Sequence, residues 1–328
     1  MKTALATKRN QGSSKKALIT GIGGFVGSHL TELLISKNIA VNGFYHPSHP
    51  ISNLDHVREK VNLYPLDIFK AKNIRKYLKI IKPDYVFHLA AISSPGQSFQ
   101  NSLLTLENNI LGQLKLLDAL VAVKSEAKIL IVGSSEEYGN VSKNPVSESA
   151  AIAPLSPYAI SKVAQDFLGY QYFLRENLQV VRVRPFNHTG PRQAVNFVVP
   201  AFASQIAQIE MTGRGIIKVG NLASYRDFTD VRDIVKAYLL ALQKAETGEV
   251  YNLGSGRALK IADVLNSLIS LSSAEIEVKI DKSRFLPIDI KKICCDYTKF
   301  HKQTGWNVEI PLQKTLMDTL EYERSKIR

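Results

Sequence analysis

A short β-prone run at residues 17–20 leads directly into Gly21-Ile-Gly23-Gly24-Phe-Val-Gly27, after which Val26, Leu30, Leu33 and Leu34 recur at helical spacing. The order is strand, tight turn, helix. Such a turn aims the free N–H groups and the positive dipole end of the helix at whatever lies above the strand, and a pyrophosphate is the usual guest. The glycines are spaced G-x-x-G-x-x-G through Gly21, Gly24 and Gly27; the alternative G-x-G-x-x-G fails because Val26 stands where its last glycine belongs. A glycine pattern alone also describes an ordinary turn. Its place between a strand and an amphipathic helix, at the start of a chain of 328 residues, is what gives it weight.

Strands alternate with helices from there on. Strands are expected at residues 39–45, 63–68, 85–91 and 128–132, with a long helix over about residues 103–123. The pattern predicts an α/β fold: a Rossmann-like, doubly wound parallel sheet with right-handed crossovers and ligands at the carboxyl ends of its strands. The second strand ends in Phe44-Tyr45-His46-Pro47, without the acid that usually holds a ribose 2′-hydroxyl. NADP(H) is thus favoured over NAD(H), with His46 or Arg58 as the nearest cations. Asp67 has two readings, a partner for an adenine amino group or the N-cap of the next helix. His88, inside an apolar strand, reads as a structural histidine.

The net charge of +13 is partly a terminal matter, because residues 1–16 hold five basic side chains and no acid. That segment has no hydrophobic periodicity and is expected to be a disordered tail. The remaining excess suits an anionic small molecule; basic residues are scattered and no nucleic-acid motif is present. No apolar run is long enough to span a bilayer and no signal-peptide core is found, so no membrane partner is expected and the cytoplasm is the expected compartment. Cys294 and Cys295 are adjacent and ill placed to pair, and no metal-binding spacing accompanies them.

The chemistry gathers after the fifth strand. It ends in Gly133-Ser134-Ser135-Glu136-Glu137-Tyr138-Gly139, and Ser156-Pro157-Tyr158 then opens a helix in which Tyr158 and Lys162 share one face at i and i+4. A lysine beside a tyrosine favours phenolate, so Tyr158 is expected to have a lowered pKa and to exchange protons, with Ser134 bonding the same substrate oxygen. The set Gly21-x-x-Gly24-x-x-Gly27, His88-Leu-Ala-Ala91, Ser134 and Tyr158-x-x-x-Lys162 resembles the extended short-chain dehydrogenase/reductase family over about residues 17–324. That resemblance implies enzymes acting mostly on nucleotide-sugars. It implies cofactor contacts at Gly21, Gly24, Phe25, Val26, Gly27, Asp67 and Ile68, at Leu89, Ala90 and Ala91, and at Asn109, Tyr158 and Lys162. For Asn109, positioning Lys162 through water and plain helix packing are both open. The implied domains are residues 17–186 plus 223–254 for the dinucleotide and 187–222 plus 255–328 for the nucleotide-sugar.

Later segments narrow the likeness. Arg184-Pro185-Phe186-Asn187-His188-Thr189-Gly190-Pro191 and Tyr225-Arg226-Asp227-Phe228-Thr229-Asp230-Val231-Arg232-Asp233 are similar to the GDP-mannose branch of the family. Substrate contacts are implied at Ser93, Ser135, Asn187, Val198, Lys218, Arg226 and Arg284; a salt bridge from Arg226 to Asp227 or Asp230 is the structural alternative. Two reactions then compete: reduction of the C4 ketone of GDP-4-keto-6-deoxy-D-mannose, and 4,6-dehydration of GDP-mannose. Glu136 stands where the dehydrating enzymes keep their C5 base, whereas the Phe228–Asp233 run resembles the reducing ones, and reduction is the favoured expectation. A silent nucleotide-binding protein is a third reading, opposed by the intact serine–tyrosine–lysine set. Leu286 replaces an arginine that relatives use on nucleotide phosphate, with Arg284 close by. Relatives dimerise through a four-helix bundle, and Val163, Phe167, Tyr170 and Leu174 form a stripe that suits either that interface or core packing.

Overall fold

The computed structural model describes residues 14–327, so most of the basic tail lies outside the described residues. Of its end, Lys16 opens the first strand and Lys15 Nζ donates to the Tyr85 hydroxyl at 3.0 Å. Six strands come first: β1 (Lys16–Thr20), β2 (Ala40–Tyr45), β3 (Val61–Pro65), β4 (Tyr85–His88), β5 (Lys128–Val132) and β6 (Gln179–Pro185). Six more follow: β7 (Asn187–Thr189), β8 (Arg214–Val219), β9 (Tyr225–Asp230), β10 (Val250–Leu253), β11 (Ala258–Lys260) and β12 (Glu275–Ile280). The main sheet runs β10-β6-β5-β4-β1-β2-β3 and is parallel at every pairing. The central strands β1 and β5 carry the apolar runs Ala17-Leu-Ile19 and Ile129-Leu-Ile-Val132 because helices bury both faces there. One face packs on the Phe25–Ser36 and Val231–Lys244 helices, the other on Gly112–Ala122 and Pro157–Glu176.

A separate core forms where the Val198–Glu210, Ile261–Ile269 and Leu312–Ser325 helices cover β8, β9 and β12. β8 pairs in parallel with β12, while β9 lies between β11 and β7. The chain then returns to the first core, where Phe300 and Trp306 pack beside Tyr251.

Three elements differ from their sequence expectation. β3 stops at Pro65, opposite Tyr45, and Asp67 closes a turn by accepting from the Phe69 N–H at 3.0 Å; it is not a helix N-cap, since the next helix starts after Asn73. β4 stops at His88 because Thr20 Oγ1 accepts the N–H groups of Leu89 and Ala90, both at 3.1 Å, and peels that segment from the sheet. The long helix exists as a continuous run over residues 102–122, but Glu107–Leu111 winds as a π-turn. Such turns favour functional positions. Here it buries Asn109, whose amide holds both backbone groups of Ile92 and donates to Ser161 Oγ at 2.9 Å.

Candidate active site

A cavity of about 630 Å³ opens at the carboxyl ends of β1, β4 and β5. The glycine turn forms one wall. Gly21 has φ +71°, a left-handed conformation that disfavours side chains, and a Cβ there would press on the Ala90 backbone at 3.0 Å. A Cβ on Gly27 would overlap the Gly21 carbonyl and sit 2.7 Å from that of Ile22, so only glycine lets the Phe25–Ser36 helix seat against the turn. That helix begins at Gly24 with no side-chain cap, leaving its first N–H groups facing the cavity. The residues therefore fit the pyrophosphate of a dinucleotide. Phe25, Val26, Asp67, Ile68, Leu89, Ala90, Ala91, Ser93, Ser135 and Asn187 also line the cavity.

Ser134, Glu136, Tyr158 and Lys162 face the same space. Ser134 caps the short turn Ser135–Tyr138, and its hydroxyl accepts from the Glu136 N–H at 3.1 Å. Ser156 caps the Pro157–Glu176 helix by accepting from the Ala159 N–H at 3.0 Å, which brings Tyr158 over the end of β5. The Tyr158 and Ser134 hydroxyls face the same space, and Ser134 favours the phenolate. The Tyr158 pKa runs opposite to its sequence expectation: burial, then Glu136 and Glu137, push it up. Lys162 gives little opposition, because its Nζ donates to the Val132 carbonyl at 2.8 Å and lies 5.9 Å from the tyrosine ring centre. Burial pushes Lys162 down to about 8. His88 is structural: its Nδ1 meets Thr20 Oγ1 at 2.9 Å, and burial lowers its pKa to about 3.

The implied substrate residues divide. Ser93, Ser135 and Asn187 line the cavity; Val198, Lys218, Arg226 and Arg284 do not. Arg226 pairs with neither Asp227 nor Asp230 but with Asp289, at 2.6 Å, and it also donates to the Ile290 carbonyl. Both alternatives are already engaged, Asp227 by Ser255, Gly256 and Cys295, and Asp230 by Arg232 and Thr315. Arg226 still acts on Glu136, whose pKa is raised by burial and pulled back by that guanidinium. Arg284 turns to Asp281 at 3.5 Å, and Leu286 lies against Gly96. Asn109 does not touch Lys162; its three bonds pin the Ile92 loop to the tyrosine helix.

Residues that the sequence reading passed over also reach the cavity. His49 packs against His46 with ring centres 4.8 Å apart, and both line the wall, whereas Arg58 is exposed and outside it. His46 Nε2 is 3.4 Å from Asp67. Arg192 lines the far end, paired with Glu32 at 2.8 Å; it directly follows the Gly190-Pro191 pair, which was the available signal. His188 stacks on Phe25, and its Nδ1 lies 3.1 Å from the Phe186 carbonyl.

The family described as GDP-mannose 4,6 dehydratase matches residues 18–319. Among individual relatives, the chain is 31% identical over 318 residues to a GDP-6-deoxy-D-mannose reductase of Pseudomonas aeruginosa, covering 96% of this chain and 99% of that one. It is 30% identical over 316 residues to GDP-mannose 4,6 dehydratase 1 of Arabidopsis thaliana, covering 92% and 87%. A solved structure of RMD from Pseudomonas aeruginosa, complexed with NADPH, superposes with TM-score 0.78 at 30% identity over 95% of this chain and 100% of that one.

Proposed function

The chain belongs to the GDP-mannose 4,6 dehydratase family, within the extended short-chain dehydrogenases/reductases, and on that premise we propose that it reduces the C4 ketone of GDP-4-keto-6-deoxy-D-mannose with NADPH. The observation that carries this reading is that Ser134, Tyr158 and Lys162 face the same cavity as the glycine turn. Reduction is favoured over elimination by the run from Phe228 to Asp233, which resembles the reducing enzymes.

A nicotinamide dinucleotide, when bound, supplies the hydride that ends on the sugar C4. The chain does the rest. Ser134 and Tyr158 direct their hydroxyls at the ketone oxygen, and Tyr158 gives its proton as that oxygen becomes an alkoxide. A raised pKa keeps the phenol in its donating form. Lys162, charged, eases the phenolate that follows. NADPH is favoured over NADH by the absence of an acid at the end of β2 and by the His46–His49 pair lining the wall there.

Glu136 has no proton to remove in this reaction. Glu136→Gln is expected to keep keto-sugar reduction within about tenfold of wild type, whereas a general base would cost about 10²–10⁴. A drop of that larger size, measured as initial rate, would place Glu136 in the proton transfer of the reduction itself. The alkaline limb belongs to Lys162: it is charged below and neutral above about 8, so kcat/KM is expected to fall as pH rises through that value. A pH profile that stays flat beyond it, or one unchanged in Lys162→Met, would contradict this role.

We further infer a homodimer built as a four-helix bundle. Leu103, Leu104 and Leu111 are exposed on one helix, and Ile160, Phe167, Tyr170 and Leu174 on its neighbour, while Val163 is half-buried. Light scattering is expected to give twice the chain mass of 36.4 kDa, and Phe167→Glu with Leu174→Glu to halve it. A single-chain mass across a concentration series would sink the dimer. Among the described residues no helix is long and apolar enough to cross a membrane. Free Cys294 and Cys295 suit a reducing compartment such as the cytoplasm.

A further inference from the structure

Glu137 takes no part in the steps above, yet it is fully buried directly beneath them. Its Oε1 accepts the Ser134 N–H at 2.7 Å, while the Ser134 hydroxyl accepts the Glu136 N–H, so the turn that presents Ser134 is closed from both sides. Its Oε2 lies 2.9 Å from Arg184 Nε as an ion pair without a hydrogen bond, because that N–H donates to Asp166 at 2.8 Å. Arg184 in turn pairs with Asp166 at 2.5 Å and donates to the Tyr138 hydroxyl at 3.0 Å, and Asp166 pairs with Arg182 at 2.8 Å. Two acids and two arginines are thus sunk in the sheet's own core. Hydrophobic side chains of similar volume hold a core at least as well as buried ion pairs, so packing alone does not explain the set. Gly133 is part of the same arrangement: a Cβ there would overlap Glu137 Oε1.

We propose that Glu137 is a positioning residue for Ser134, its carboxyl fixing the serine backbone so that the hydroxyl meets both Tyr158 and the substrate oxygen, with Arg184 holding the carboxyl in place. The inference rests on Ser134–Tyr158 being the proton-transfer pair. Burial raises the Glu137 pKa, but a carbonyl oxygen accepts an N–H in either protonation state, and the amide of glutamine does so too.

The test compares Glu137→Gln, Glu137→Leu, Gly133→Ala, Ser134→Ala and the double variant Glu137→Leu/Ser134→Ala. Each is assayed for kcat and KM on GDP-4-keto-6-deoxy-D-mannose, NADPH affinity by fluorescence, and thermal melting. Glu137→Gln is expected to keep kcat within about threefold. Glu137→Leu and Gly133→Ala are expected to lose kcat by about 10²-fold, as Ser134→Ala does, with KM and NADPH affinity little changed; the double variant is expected to be no worse than Ser134→Ala. Should Glu137→Leu fail to fold, Gly133→Ala decides, since it displaces the carboxyl without removing it. Near-wild-type kcat in both Glu137→Leu and Gly133→Ala beside an impaired Ser134→Ala would overturn this inference alone, as would losses that multiply in the double variant. Wild-type turnover in Ser134→Ala would overturn the reading on which it rests as well.

Discussion

Tyr158→Phe is expected to lower kcat for keto-sugar reduction by about 10³-fold, within the ordinary range for a general acid, while leaving NADPH affinity nearly unchanged. The ring stays and only the hydroxyl goes, so the buried packing of Tyr158 survives. What is lost is the hydroxyl that faces Ser134, and with it the proton the alkoxide must receive. Because burial keeps the phenol protonated, wild-type turnover owes no alkaline limb near neutral pH to Tyr158. Stopped-flow and steady-state absorbance of NADPH would separate the two effects. A variant that turned over within tenfold of wild type would remove Tyr158 from proton transfer.

Gly27→Val is expected to weaken NADPH binding by about 100-fold or more, equivalent to about 2.7 kcal/mol. The first atom of any side chain there meets the Ile22 carbonyl at 2.7 Å and overlaps that of Gly21. Those carbonyls are backbone and cannot rotate aside, so the helix must lift and its N–H groups move away from the phosphates. Overpacking of this kind also costs about 1–3 kcal/mol of stability, which a thermal melt would register. Unchanged binding in a folded Gly27→Val protein would mean that the helix end is not the phosphate cradle.

How far these features were legible follows their range along the chain. The glycine turn, Ser134 at a strand end and the Tyr158–Lys162 face are local patterns, and each lies as expected in the structure. The end of β4 was misplaced because a single side chain, Thr20, competes for the backbone of a strand 68 residues away. The ion-pair partner of Arg226 was missed for the same reason: Asp289 is 63 residues distant, beyond any spacing rule. The Tyr158 pKa was misjudged because side-chain adjacency on a helix says nothing about where Lys162 Nζ points once Val132 offers a carbonyl. Glu137 had a local signal for its bond to Ser134, the capping-box spacing Ser134-x-x-Glu137, but none for its acid–arginine network, which is assembled from β6 and the tyrosine helix.

The most direct test follows cofactor and product together, with GDP-4-keto-6-deoxy-D-mannose plus NADPH or NADH in one arm and GDP-mannose alone in the other. The expected result is one NADPH oxidised for each keto-sugar consumed, a product heavier by one hydride and one proton, slower turnover with NADH, and no reaction of GDP-mannose. Loss of water from GDP-mannose without net cofactor consumption would contradict it, and would make Glu136 the base of a dehydratase.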